Sequence, residues 1–238
     1  MTAPDDTRAP PLPTAWARSA PARGLRTAVH RALLTPYVWA CARPTVEGAE
    51  HLVPLTAPVV FVANHSSHLD TPLLFGALPP HIASRLVVGA AADYFFGSPL
   101  TGAATALVFN AFPVQRGAAP GRTGRDGRGR AVRGAARRLL EEGWHVLLFP
   151  EGTRSRDGRL GAFGTGAARL CLQTSASAVP VALVGTHAVL PRGTRVPVRG
   201  APPVSVRFGR PIRAVPGEGP PDFRDRMRES VRTLQRSP

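Results

Sequence analysis

At 238 residues the chain is long enough to bury a real core and amounts to one domain. Its formal charge is +15 and it contains no lysine, so all 30 basic residues are arginine; that balance asks for an anionic partner, either nucleic acid, a membrane surface or a phosphorylated substrate. Cys41 and Cys171 sit in apolar contexts without metal or redox spacing and read as free thiols in a reducing compartment.

Residues 1–22 are rich in Pro and Ala, include two early acids and lack an apolar core; they read as a disordered tail and not as a secretory signal. Residues 23–45 form an amphipathic helical segment, with Leu25, Val29, Leu33 and Tyr37 at helical spacing and Arg26, His30 and Arg31 on other faces. Pro36 is expected to break that helix. The stripe suits a helix covering one edge of the core, the preferred assignment, or one lying on a membrane surface.

Residues 46–238 then alternate strands with helices. "VVFVA" (59–63) reads as a buried strand and Asp70 to Leu78 as the helix after it. "RLVVGA" and "FPVQ" are further strands. "LVVGAAADYFFGSPLTGAATALVF" is apolar, but Asp93, its glycines and Pro99 interrupt it, so no spanning helix is expected. "RAVRGAARRLLEEG" is a helix ending at Gly143, with Val132, Ala136, Leu139 and Leu140 facing inward. "WHVLLF", "AVPVALVG" and "VSVRFG" repeat the buried-strand type, and the terminal helix aligns Phe223, Met227, Val231 and Leu234. This pattern predicts a single α/β layered domain, a mainly parallel central sheet flanked by helices. The tract "RGAAPGRTGRDGRGRAVRG" from Arg116 has the Arg/Gly density of a nucleic-acid binder. It lacks interleaved aromatics, however, and lies between core strands, so a solvated loop running into a helix is preferred and nucleic acid is not expected as a partner.

In parallel α/β folds the ligand site lies beyond the carboxyl ends of the strands. Three polar clusters follow directly on strands here: Asn64 and His65 with Asp70, then Gln115 with Arg116, then Pro150, Glu151, Gly152, Thr153, Arg154 and Ser155. A histidine beside a carboxylate can serve as a general base. Ser67 and Asp70 are also three apart, the spacing of a capping box, and the two roles remain open together on spacing alone. There is no G-x-S-x-G elbow, no metal-ligand set and no lysine for a phosphate loop, so the substrate is expected to bring its own nucleophile, such as a hydroxyl. Arg116 and Arg154 would hold an anionic group.

"NHSSHLD" (64–70), "FPVQR" (112–116), "FPEGTRS" (149–155) and "VPVALVG" (179–185), in that order, resemble the four blocks of the lysophospholipid acyltransferases of the 1-acylglycerol-3-phosphate acyltransferase type. The resemblance extends from Val46 to Ile212. It implies that His65 and Asp70 are catalytic, His65 as base and Asp70 as its orienting acid. It also implies that Arg116, Glu151, Gly152, Thr153 and Arg154 bind substrate, with Asn64, Pro150 and Ser155 as supporting motif residues. The expected co-substrate is an acyl thioester of coenzyme A or acyl-carrier protein, with no metal or other cofactor. The expected acceptor is a lysophospholipid, the expected surface an anionic membrane, and the expected location peripheral, on the cytoplasmic side of the cell membrane. One position departs from the pattern: relatives commonly carry a lysine just before the "TG" that follows the third block, and here Gly164 stands there. That leaves the head group of the acceptor open, with another hydroxylated lipid, glycolipid or natural-product alcohol as the alternative.

Overall fold

The computed structural model describes residues 13–114 and 127–237. One seven-stranded sheet organises them: β1 (Thr45–Glu47), β2 (Val60–Ala63), β3 (Leu86–Ala91), β4 (Ala111–Val114), β5 (His145–Leu148), β6 (Ala178–Val184) and β7 (Ser205–Phe208). Their order is β1-β7-β6-β2-β5-β3-β4, and every neighbouring pair is parallel except β6 with β7. The helices are α1 (Ala20–Val29), α2 (Thr35–Ala42), α3 (Asp70–Ala77), α4 (Pro80–Ala83), α5 (Ala92–Phe95), α6 (Pro99–Phe109), α7 (Gly127–Glu141), α8 (Gly166–Thr174), α9 (Thr186–Val189) and α10 (Pro220–Arg236).

The expected mainly parallel sheet with helices on both faces is what forms. Because side chains alternate along a strand, β2 feeds two cores: Phe61 and Ala63 pack with Leu73, Leu74, Val88 and Phe208, while Val60 and Val62 pack with Leu139, Phe223 and Met227. Of the inward residues expected on α7 and α10, Ala136, Leu139, Leu140, Phe223, Met227 and Val231 are buried and Leu234 is half-buried; the Val132 side chain lies outside the described ones. Parallel pairing of β2 with β5, β5 with β3 and β3 with β4 brings their carboxyl ends to one edge of the sheet.

The N-terminal region differs from expectation in three ways. Residues 13–22 are ordered: Ala15–Arg18 form a 3-10 turn with Ala17 fully buried, and α1 starts at Ala20 behind Ser19, whose hydroxyl accepts from the Ala22 amide. Pro36 does not end the helix. The chain passes through a π turn at His30–Leu34, where the Thr35 amide bonds the His30 carbonyl, and continues as α2 to Ala42. Widening the ladder just ahead of the proline accommodates its missing N–H.

The third difference concerns which face is buried. The stripe expected to cover the core points to solvent, with Leu25 52%, Leu33 65% and Tyr37 53% exposed, while Arg26 and His30 are buried. Both cap the carboxyl end of α6: Arg26 Nε donates to the Leu107 carbonyl (2.8 Å), and a His30 ring nitrogen meets that of Val108 (2.8 Å). Burial, with Arg18 and Arg23 nearby, pushes Arg26 down to about 10, so it is still a cation at neutral pH, the charge a helix C-terminus favours. Trp39 lies on Gly76 of α3, where a Cβ would come within 2.4 Å of the indole; only glycine lets the two helices approach so closely.

Arg116, Gln115 and the Arg/Gly tract as far as Asp126 lie outside the described residues. Among the described residues no helix is long and apolar enough to cross a membrane.

Candidate active site

The loop after β2 carries the histidine and α3 begins with the aspartate. Asp70 is fully buried, and its Oδ2 accepts from His65 Nδ1 (2.8 Å), the Ser66 amide (2.7 Å) and the Ser67 amide (2.9 Å). A carboxylate can only accept, so Nδ1 carries the proton and Nε2 is left as the basic nitrogen. The bond to the Ser67 amide, three residues back, ties the carboxylate to the turn that opens α3, and the bond to His65 fixes the ring. One carboxylate makes both contacts, which five residues of separation allow because His65 precedes the helix and Asp70 lies in its first turn. The imidazole stacks on Phe149 at 4.0 Å between ring centroids.

The third block grips His65 by its backbone. Glu151 Oε1 accepts from the His65 amide (2.8 Å), and the Ser155 amide donates to the His65 carbonyl (2.8 Å). The other Glu151 oxygen accepts from the Gly161 amide at 2.9 Å. Burial pushes the Glu151 carboxyl above its ordinary range, and the two amide bonds oppose that shift. Expected as a substrate-binding residue, Glu151 has both oxygens bonded to backbone amides, an arrangement that holds the His65 loop in place. Replacing it by glutamine leaves an amide nitrogen facing an N–H. We expect the catalytic rate to fall about 10- to 100-fold, melting to shift by about 1–3 kcal/mol, and acceptor KM to stay near wild type. Steady-state kinetics with thermal melts check this; a rise in KM alone would restore the substrate-contact role.

Asn64 also supports the scaffold. Its side chain donates to the Leu183 carbonyl (2.8 Å) and accepts from the Leu183 amide (2.7 Å), adding one rung between the end of β2 and β6. The Pro150 carbonyl accepts from the Gly164 amide (2.8 Å), and Gly152 turns the block with φ of 70°, a conformation that favours glycine. Thr153 is exposed at the cavity and Ser155 Oγ donates to Asp157.

A cavity of about 380 Å³ opens beside the histidine, within the range of small-ligand sites. His65, His68, Tyr94, Thr153, Arg154 and Arg192 line it along with an apolar set that includes Val88, Phe112, Ala136, Leu148, Ala167 and Leu170. The Arg154 guanidinium lies over the Tyr94 ring, 5.9 Å from its centroid, and its Nη1 is buried without a hydrogen-bond partner. Burial first and Arg154 second push the His68 pKa down. The sequence reading missed Phe149 as a stacking partner and Tyr94, His68 and Arg192 as lining residues. Phe149 and His68 stood inside recognised blocks; Tyr94 and Arg192 had no signal beyond residue type. Among the described residues no group of three or more His, Cys, Asp or Glu converges as a metal site.

His65, its tautomer fixed by a buried carboxylate and its ring lining an apolar cavity at the strand ends of an α/β sheet, has the arrangement of a general base. The Acyltransferase family profile matches residues 43–184, and the chain belongs to that family. It is 34% identical over 151 residues to a chloroplastic 1-acyl-sn-glycerol-3-phosphate acyltransferase of Arabidopsis thaliana, covering 63% of this chain and 38% of that one. With a 1-acyl-sn-glycerol-3-phosphate acyltransferase of Chlamydomonas reinhardtii it shares 32% identity over 168 residues, 68% of this chain and 46% of the relative. The chain thus spans less than half the length of these two relatives. In fold it is similar to the crystal structure of a 1-acyl-sn-glycerophosphate acyltransferase of Thermotoga maritima, with a TM-score of 0.65, 22% identity, and 92% and 81% of the two chains covered.

Proposed function

We propose that the protein transfers a fatty acyl group from a thioester of coenzyme A or acyl-carrier protein to the free hydroxyl of 1-acylglycerol-3-phosphate, giving phosphatidic acid. The observation that carries this is the His65–Asp70 pair at the mouth of an apolar cavity, with the Arg154 guanidinium alongside and free of any acidic partner among the described residues. His65 Nε2 takes the acceptor hydroxyl proton as that oxygen attacks the thioester carbonyl. Asp70 stabilises the imidazolium that forms. The tetrahedral intermediate collapses with cleavage of the C–S bond, and the imidazolium returns its proton to the departing sulfur, leaving an ester and a free thiol. The acyl chain occupies the apolar cavity and Arg154 draws the phosphate. No cofactor beyond the thioester enters this scheme.

The test is an acceptor panel with labelled acyl-CoA scored by product mass. We expect 1-acylglycerol-3-phosphate to be acylated in preference to monoacylglycerol. Acylation of neutral alcohols alone would move the assignment to another hydroxylated lipid, an outcome that Gly164 in place of lysine makes worth including.

Both substrates in this scheme are amphiphiles, and the outward stripe of α1 and α2 suits a peripheral position on an anionic membrane. Fully burying a side chain such as leucine is worth about 1.5–3 kcal/mol, so leaving Leu25, Leu33 and Tyr37 half exposed forgoes several kcal/mol that an acyl layer would return. Leu33→Asp should weaken sedimentation with vesicles containing phosphatidylglycerol by about tenfold, while activity on detergent-dispersed substrate stays near wild type. Unchanged vesicle binding would rule this face out.

A further inference from the structure

We propose that Arg192, which lies beyond the fourth sequence block, binds a substrate phosphate monoester together with Arg154 at the cavity mouth; this rests on the acyl-transfer reading above. Arg192 and Arg154 line the same cavity as His65, and Arg192 Nη1 donates to the Arg154 carbonyl at 3.1 Å. The segment that carries Arg192 is tied to the catalytic loop at two points. Ser67 Oγ donates to the Leu190 carbonyl (2.8 Å), and the Ser66 and Thr186 hydroxyls share a hydrogen bond (2.9 Å). A turn in which the Thr194 amide and hydroxyl both donate to the Pro191 carbonyl closes the segment behind Arg192. The guanidinium therefore projects from a fixed backbone two residues beyond a carbonyl bonded to the loop of His65 and Asp70.

Charge gives the second line of support. Neither Arg154 nor Arg192 has a carboxylate partner among the described residues; their polar and ring contacts are with a backbone carbonyl and with Tyr94. Two like charges at one cavity mouth repel, and a bound dianion turns that repulsion into attraction to both. Such a pair also compensates for Gly164. That residue lines the same cavity and offers no cation, although a Cβ there would meet only the Pro150 carbonyl, at an ordinary 3.5 Å.

The phosphate monoester could be that of 1-acylglycerol-3-phosphate or the 3′-phosphate of coenzyme A, and the experiment separates them. Arg192→Ala, Arg192→Lys and the double variant Arg192→Ala/Gly164→Lys are compared with wild type in steady-state kinetics. Acceptors are 1-acylglycerol-3-phosphate and monoacylglycerol; donors are acyl-CoA and acyl-pantetheine, which lacks the nucleotide phosphates. We expect Arg192→Ala to raise the KM of the phosphate acceptor about tenfold or more with kcat changed little, and to leave monoacylglycerol unaffected. Lysine at 192 should recover part of the loss, and Gly164→Lys should restore binding in the alanine background. A rise in KM for acyl-CoA but not for acyl-pantetheine would support the same role with the donor phosphate as ligand. Unchanged KM for both phosphate-bearing substrates overturns the proposal, as does an equal loss with phosphorylated and neutral substrates. If wild type acylates only monoacylglycerol, the acceptor assigned above fails. Arg192 is then judged on acyl-CoA against acyl-pantetheine, where an unchanged donor KM overturns its role too.

Discussion

His65→Ala should lower kcat by about 10³-fold or more and leave the fold intact, because the side chain supplies, among the described residues, the only base in contact with the buried carboxylate of Asp70. The two are separable at this position. Both bonds that fix the loop go to the His65 backbone, from Glu151 and Ser155, and alanine retains them. What is lost structurally is the stack on Phe149, worth about 0.5–1.5 kcal/mol, and one of the three hydrogen bonds to the buried Asp70 carboxylate, worth about 1.5–3 kcal/mol; the Ser66 and Ser67 amides still hold that carboxylate. Circular dichroism should therefore stay close to wild type and the melt should fall by several degrees without loss of the fold, while labelled product disappears. Turnover near wild type would remove His65 from the chemistry and with it the proposed mechanism.

Asp70→Asn should cost about 10²-fold in kcat with acceptor KM little changed. The three donors around Oδ2, from His65, Ser66 and Ser67, force the asparagine carbonyl into that place and its amino group to the other side. The histidine keeps its tautomer, so the rate loss reports the missing charge opposite the imidazolium and not a reversed ring. On the Oδ1 side, buried and without a partner, the new amino group is unsatisfied, which adds a stability loss of about 1–3 kcal/mol. Kinetics at a temperature well below both melting points separate the two effects. A variant that melts earlier yet turns over at the wild-type rate would reduce Asp70 to a helix cap.

The contact between His65 and Asp70 was legible because it is local. His65 and Asp70 lie five residues apart, one at the end of an apolar strand and the other at a helix start. The layered fold was legible for a related reason: strands such as 59–63 and the stripes on α7 and α10 depend on which side chains repeat, and burial follows that repeat. The supporting residues were not legible. Glu151 is an acidic residue in a polar block until the chain brings the amides of His65 and Gly161 onto its two oxygens. Arg192 is one of 30 arginines until α9 and its turn are pinned to the serines beside His65.

The N-terminal helix marks the boundary between the two kinds of information most clearly. Its sequence determined that a helix with one apolar stripe would form, since periodicity and propensity act over a few residues. Which face turned inward was decided elsewhere, by the Leu107 and Val108 carbonyls at the end of α6, about eighty residues away, which needed donors that Arg26 and His30 could supply. A stripe records that its residues prefer an apolar environment. Whether that environment is the protein's own core or something outside it depends on which polar groups the rest of the fold leaves unsatisfied, and only the assembled tertiary structure determines those.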